Sequence, residues 1–433
     1  MKKLLSFILA LALIIPLSAC SKKQDEKDVL EVAVLESAYG SEMWREVCKA
    51  FTDATGIEVS LTAEKNLEDV ISPRMKGGDY PDVVHLATGR EAGLTETMIR
   101  ENLLSDLSGV LEMRIPGEDG TVKEKLSDGF VSTLATNPYA DGKTYLAPMF
   151  YSPCGLFYNE NLLKENNWEV PESWDEMWSL GEAAKAKGIY LFTYPTAGYF
   201  DAFIYALLAS SGGVDFYNNA MRYKDGIWES ESARDVFNII AKLKEYTEPT
   251  TVANANSENF LKNQQLVLSG KVLFMPNGTW VTDEMKDAPR TENFKWGFTE
   301  IPAVSEGGDR YAFTFIEQCW IPKEAPHKDD AEKFVAFLYS DKAAGIFRRH
   351  GAVQPIDDID EGMTGDMQLF YSIYDEGAKA VMGGFAATEP VEGVSIYSSL
   401  FDAINSVMSG DKSLDEWISD VEKTSDALRE KLK

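Results

Sequence analysis

Val29–Leu35 reads VLEVAVL, a short apolar strand, and the pattern that follows it decides the fold. Over 42–55, Met43, Val47, Ala50 and Phe51 recur at helical spacing, and Gly56 stops that helix. IEVSL at 57–61 alternates as a strand. Leu67–Lys76 is a helix running into Gly77 and Gly78, PDVVHL at 81–86 is a buried strand, and 90–100 is another helix. This β-α-β-α-β-α order predicts an α/β fold, a parallel sheet with helices on both faces. Ligands of such sheets bind beyond the carboxyl ends of the strands. The loops there are 36–40, carrying Glu36 and Tyr39, and 87–90, carrying Thr88 and Arg90. Arg90 has a rival reading as a surface partner of Glu91 or Asp82.

Downstream the alternation continues. GKTYLAPMF at 142–150 and GLFY at 155–158 read as extended, with Phe150 and Tyr151 between them, one of the two facing a ligand. Ser173 caps a helix to 187, and Glu176 three residues on completes a capping box. A strand at 189–192 precedes an apolar helix at 201–210 that ends at Gly212 and Gly213. Helices at 233–246 and 259–269 lead to KVLFM at 271–275, then to a helix opened by Asn277-Gly278-Thr279-Trp280. Strands at 295–298 and 311–321 follow. Helices at 328–339, Asp341–Arg349, 366–380, 396–409 and 413–432 close the chain. Phe313, Phe315 and Glu317 share one face of their strand, and Trp320 takes the other. A Glu facing a packed sheet would be costly, which favours a cleft-facing Glu317 as a hydroxyl acceptor.

Upstream, Met1-Lys2-Lys3 is a cationic start, followed by an apolar run from Leu4 to Leu17. At roughly 14 residues the run is too short to span about 30 Å of hydrocarbon and fits the h-region of a signal peptide. Leu17-Ser18-Ala19-Cys20 resembles a bacterial lipobox. The resemblance implies a signal peptide at 1–19 and a diacylglycerol on the Cys20 sulfur, which would anchor the chain on the outer face of the cell membrane. Two acyl chains suffice for stable anchoring. Residues 20–28 read as a lipidated cysteine and a polar tether.

The 433 residues, 44% hydrophobic, suggest two globular domains. A net charge of −28 gives nucleic acid no basic footprint. Of four cysteines, Cys48, Cys154 and Cys319 remain if Cys20 is lipidated, an odd number that reads as core residues rather than a disulfide framework. His85, His327 and His350 sit in no metal-binding spacing, and His85 reads as packed. No nucleotide or hydrolase motif occurs, so neither cofactor nor metal is expected. The acidic stretch Asp357-Asp358 with Asp360-Glu361 lacks an EF-hand register and reads as a solvated loop.

Several segments in this order resemble the family 1 extracellular solute-binding proteins of ABC importers, the class that includes maltose-binding protein. They are FTDATGIEV at 51–59, GDYPDVV at 78–84, GKTYLAP at 142–148 leading to LFYN at 156–159, and PESWDE at 171–176. SGKVLFM at 269–275 with GTW at 278–280, and WIPK at 320–323 before AEKF at 331–334, complete the set. The likeness runs from Leu30 onward. Phe315-Ile316-Glu317 departs from it where many members carry glycines, and 352–361 is unfamiliar.

The resemblance implies the two-lobed type II periplasmic-binding-protein-like fold, each lobe a mostly parallel sheet flanked by helices, with the ligand in the cleft between them. It places 29–143 and 304–340 in the first lobe, 144–303 and 341–433 in the second. It implies a carbohydrate ligand, hinge closure, and a monomer that delivers its cargo to the transmembrane subunits of an ABC permease with associated ATPases. Aromatic rings stack on the apolar face of a pyranose and carboxylates take its hydroxyls. By position, Trp280, Tyr199 and Tyr397 match aromatics that line the family's sugar site. Asp201 either accepts hydroxyls or caps its helix. Two other classes stay open. A surface glycosidase needs only two placed carboxylates, and a peptide or polyamine receptor would use cleft carboxylates with fewer stacking rings.

Overall fold

A computed structural model describes residues 29–432 apart from 38, 89, 91, 128, 132, 358–362, 375, 387 and 390. The signal segment, Cys20, the tether and most of the acidic stretch after Asp357 lie outside the described residues. Among the described residues, nine strands form one mixed sheet. They are β1 (Val29–Leu35), β2 (Glu58–Glu64), β3 (Val83–Ala87), β4 (Ala147–Asn159), β5 (Tyr190–Phe192), β6 (Val272–Gly278), β7 (Trp296–Thr299), β8 (Tyr311–Trp320) and β9 (Lys379–Val381). The order is β2-β1-β3-β8-β4-β6-β5, with β7 on β4 and β9 on β8. β2-β1-β3 and β6-β5 are parallel; β8 and β4 join these two groups through antiparallel pairs.

The amino-terminal reading holds closely: β1, α1 (Ser41–Thr55), β2, α2 (Leu67–Lys76), β3 and α3 (Leu94–Arg100) follow in the expected order. Gly56 ends α1 at φ 78°, a left-handed position that glycine takes without a Cβ penalty. Strand parity divides the core. Leu30, Val32 and Val34 of β1 pack with Trp44 and Phe51 of α1, while Ala33 and Leu35 pack with Leu67 and Ile71 of α2.

Two long strands join the halves. The extended segments expected at 142–150 and 155–158 are one strand, β4, whose first part pairs with β8 and whose last four residues pair with β7. The irregularity between Pro148 and Phe150 absorbs the missing proline N–H. β8 lies against β3 at Glu317–Trp320 and against β9 at Tyr311–Phe313.

The helix expected at 201–210 runs from Phe200 to Met221 with a break at Gly213, φ 78°, where the chain turns and becomes helical again. The helix expected at 366–380 ends at Tyr371, because 379–381 is held as a strand by β8. Ser173 caps its helix, but Glu176 reaches the Glu172 amide at 2.8 Å instead of closing the expected box. Asp341–Arg349 packs on α1, with Trp44 and Phe347 ring centroids 5.5 Å apart, and Ile356 bridges Leu126. Cys48, Cys154 and Cys319 are free and buried.

Candidate functional site

Where β3, β4, β6 and β8 converge, two cavities open side by side and share Asp201 and Phe315. The larger holds about 960 Å³ and takes its walls from both halves of the chain. Thr88, Arg90, Glu96 and Tyr139 come from the elements before β4, and Tyr205, Phe385 and Tyr397 from those after it. Residues Phe313 to Ile316 of β8 lie between. The smaller, about 230 Å³, lies against Cys154 of β4, the end of β6 and the start of the helix Phe200–Met221.

Trp280 follows β6, and its indole Nε1 donates to the Tyr199 hydroxyl at 3.3 Å. Phe315 stands edge-on to Trp280 at 6.1 Å, and half of Phe315's surface is exposed despite its place on a central strand. Gly278 makes room for the indole: a Cβ there would lie 2.1 Å from the Trp280 ring. Burial pushes the Asp201 carboxyl up to about 6, and the Ala202 amide, which donates to Asp201 Oδ1, pulls the other way. The helix begins at Phe200 with no side-chain cap, so Asp201 is not its cap; Asp201 borders both cavities.

Tyr397 is 52% exposed on the wall of the larger cavity, where its ring meets Phe385 at 5.9 Å and Phe401 at 5.5 Å. Phe385 stacks on Tyr223 at 5.4 Å. Phe385 was not singled out from the sequence because it sits in an irregular loop with no periodicity. Tyr205 lies four residues after Asp201, on the same helix face, a spacing that links it to the cavity from the sequence alone.

The first-lobe candidates divide. Thr88 and Arg90 reach the larger cavity. Arg90 pairs with Glu68, which is buried, through Nε to Oε1 and through Nη2 to Oε2 at 3.1 Å; Asp82 instead accepts from the backbone amides of Glu31 and His327, and Glu91 lies outside the described residues. Glu36 and Tyr39 are half-buried but border neither cavity, and Tyr39 stands edge-on to Phe150 at 5.5 Å.

Phe150 and Tyr151 are both core residues. Phe150 packs with Trp44, His85 and Phe347, and Tyr151 with Phe130 and Tyr371, because helices cover both faces of β4 at this point. Both are buried and neither borders either of these two cavities, which runs against the expectation that one faces a ligand. Glu317, expected to face the cleft, likewise borders neither of the two cavities. Its Oε2 is 3.3 Å from Nε2 of His85, which is fully buried. Burial pushes Glu317 up to about 7 against the pull of Arg90, and pushes His85 down to about 3. Trp320 is buried and donates to Thr95 Oγ1 at 3.3 Å.

Among the described residues, no group of three or more His, Cys, Asp or Glu side chains is placed to hold a metal ion, and no helix is long and apolar enough to cross a membrane. The two cavities are lined by rings, hydroxyls, carboxylates and guanidinium groups. Such a set can hold a polar, ring-shaped guest by stacking and hydrogen bonds.

The chain is 23% identical over 339 residues to the diacetylchitobiose binding protein NgcE of Streptomyces coelicolor, covering 74% of this chain and 68% of that one. It is 24% identical over 415 residues to a maltooligosaccharide ABC transporter solute-binding lipoprotein of Streptococcus pneumoniae, covering 90% and 88%. The apo form of RafE from Streptococcus pneumoniae superposes with a TM-score of 0.70 at 19% identity, over 94% of this chain and 100% of that one, which shows the shared two-lobed fold. Residues 35–345 match the family model for bacterial extracellular solute-binding proteins, and the chain belongs to that family.

Proposed function

We propose that this chain is a carbohydrate receptor that holds its ligand in the paired cavities, closes around it, and hands it to an ABC permease. The observation that carries this reading is the clustering of Trp280, Tyr199, Phe315 and Tyr397 around Asp201, beside a larger cavity whose opposite wall brings Thr88 and Arg90 from the amino-terminal elements. Rings supply stacking surface for pyranose faces, and Asp201 supplies an acceptor for hydroxyls. Relatives named for a diacetylated disaccharide and for maltooligosaccharides support a sugar and leave its identity open. On this reading the ligand-contacting residues are Trp280, Tyr199, Tyr397, Asp201, Thr88 and Phe315, while Arg90 orders the rim through Glu68.

We draw the first lobe as 29–143 with 304–356, extended past 340 by the packing of Phe347 on Trp44, and the second as the remainder, with β4 and β8 common to both. Ligand bridging the lobes shifts the population toward a closed form. Cys20 carries the lipid anchor that keeps the receptor at the outer face of the membrane. The chain works as a monomer and turns nothing over.

Titration calorimetry against a panel of oligosaccharides, paired with chromatography of the incubated sugars, tests the function. Saturable binding without new products is expected; hydrolysis would replace the receptor with a glycosidase, and binding confined to peptides or polyamines would remove the sugar. Mass spectrometry of the native protein against Cys20→Ala tests the anchor, with loss of the diacylglycerol mass expected.

A further inference from the structure

The smaller cavity differs in character from the larger. Tyr199, Phe203, Pro276, Trp280, Ile301 and Phe315 present mostly carbon to it. Among its few polar side chains are Asp201 and Asn277. Asn277 is 3% exposed, and its Oδ1 accepts the Gly278 amide at 2.9 Å. That bond fixes which way the side-chain amide faces, since the opposite orientation would set one N–H against another. Nδ2 is then left as a buried donor with no acceptor among the described residues. Buried donors without partners are rare in folded proteins, and each calls for an explanation. Asp201 is the complement: among the described residues it is in no ion pair, and it accepts a hydrogen bond from the Ala202 amide alone.

A carbon-walled cavity whose lining includes an unpartnered donor on Asn277 and a spare acceptor on Asp201, beside the Thr196 and Tyr199 hydroxyls, matches a secondary amide that ends in a methyl group. We propose that this cavity receives the acetamido group of an N-acetylated amino sugar. The inference rests on the carbohydrate reading and narrows it. The methyl group fills the space among Phe203, Pro276 and Ile301, the carbonyl oxygen accepts from Asn277 Nδ2, and the amide N–H donates to Asp201. A sugar with a plain hydroxyl at the same carbon leaves the carbon walls unfilled. A free amino sugar brings an ammonium group, which has no acceptor to offer Asn277.

Calorimetry with the full chain tests this using N,N′-diacetylchitobiose, its deacetylated counterpart, cellobiose and maltotriose. Cellobiose shares the linkage of the first two and lacks the acetamido groups. The acetylated disaccharide is expected to bind at least about tenfold tighter than either of its two analogues. Asn277→Asp keeps the shape and replaces the spare donor with an acceptor, and should erase that preference. Ala202→Leu fills the cavity from the helix side without adding charge and should do the same, so the result stands if one variant fails to fold. Equal or tighter binding of cellobiose or maltotriose overturns the inference and leaves the carbohydrate reading intact. A preference that survives in a folded variant also overturns it. Binding of none of the four, with no response to the wider sugar panel, overturns both.

Discussion

The Trp280 indole donates to the Tyr199 hydroxyl across 3.3 Å and so ties the carboxyl end of β6 to the start of the helix Phe200–Met221. The two rings, 6.3 Å apart and inclined at 58°, form one corner of the smaller cavity. Trp280→Ala removes the larger face of that corner. Carbohydrate affinity should fall by about 1–3 kcal/mol, the scale of one buried aromatic surface, as read by calorimetry. Trp280 is only partly buried, so the melting temperature should change little.

Gly278→Ala tests the same corner from beneath. A methyl group 2.1 Å from the indole displaces the ring rather than removing it. Binding should weaken as in Trp280→Ala while the folded chain keeps its far-ultraviolet circular dichroism. Unchanged affinity would mean that the indole's position is irrelevant to the ligand.

Asp201 makes affinity depend on pH. Burial raises its carboxyl to about 6, so at pH 7.5 it is mostly ionised and accepts hydrogen bonds. As pH falls through 6 it takes up a proton and loses acceptor capacity. Affinity should decline from pH 7.5 to 5 in the native chain, and the decline should flatten in Asp201→Asn.

Arg90 should matter more to stability than to binding. Burial raises the Glu68 carboxyl, but the Arg90 hydrogen bonds outweigh it, and the net shift is downward from 4.5. A depressed acid stabilises the fold above its unfolded pKa, and that part is lost as pH falls through the folded value. Arg90→Ala leaves Glu68 buried with its charge uncompensated. Denaturant unfolding at pH 7 should register a loss of about 1–3 kcal/mol, below the fully buried case because Arg90 is partly solvated. The deficit should shrink toward pH 4.

Saturating ligand should raise unfolding free energy by about 3–4 kcal/mol at 100 to 1,000 times Kd. Small-angle scattering should show a smaller radius of gyration with the same ligand. A radius that does not change would rule out closure.

The amino-terminal half was legible because its strands and helices carry their own punctuation. Val29–Leu35 and Leu67–Lys76 were read at the bounds the structure gives. β4 was not, since Pro148 and Pro153 look like breaks until β8 and β7 are seen to hold the strand. β9 is three residues long and exists through its pairing with β8. The same limit applies to the site. Trp280, Tyr199 and Asp201 were found at the ends of elements, where sequence position predicts direction. Phe150 and Tyr151 looked equally placed, but covering helices on both faces of β4 can be known only from the tertiary packing.

β4 and β8 carry a further implication. Neither half owns a complete sheet, because each borrows the middle of the same two strands. A gene fragment encoding one half would therefore be no autonomous folding unit. Heating the intact chain should give a single calorimetric endotherm in place of two.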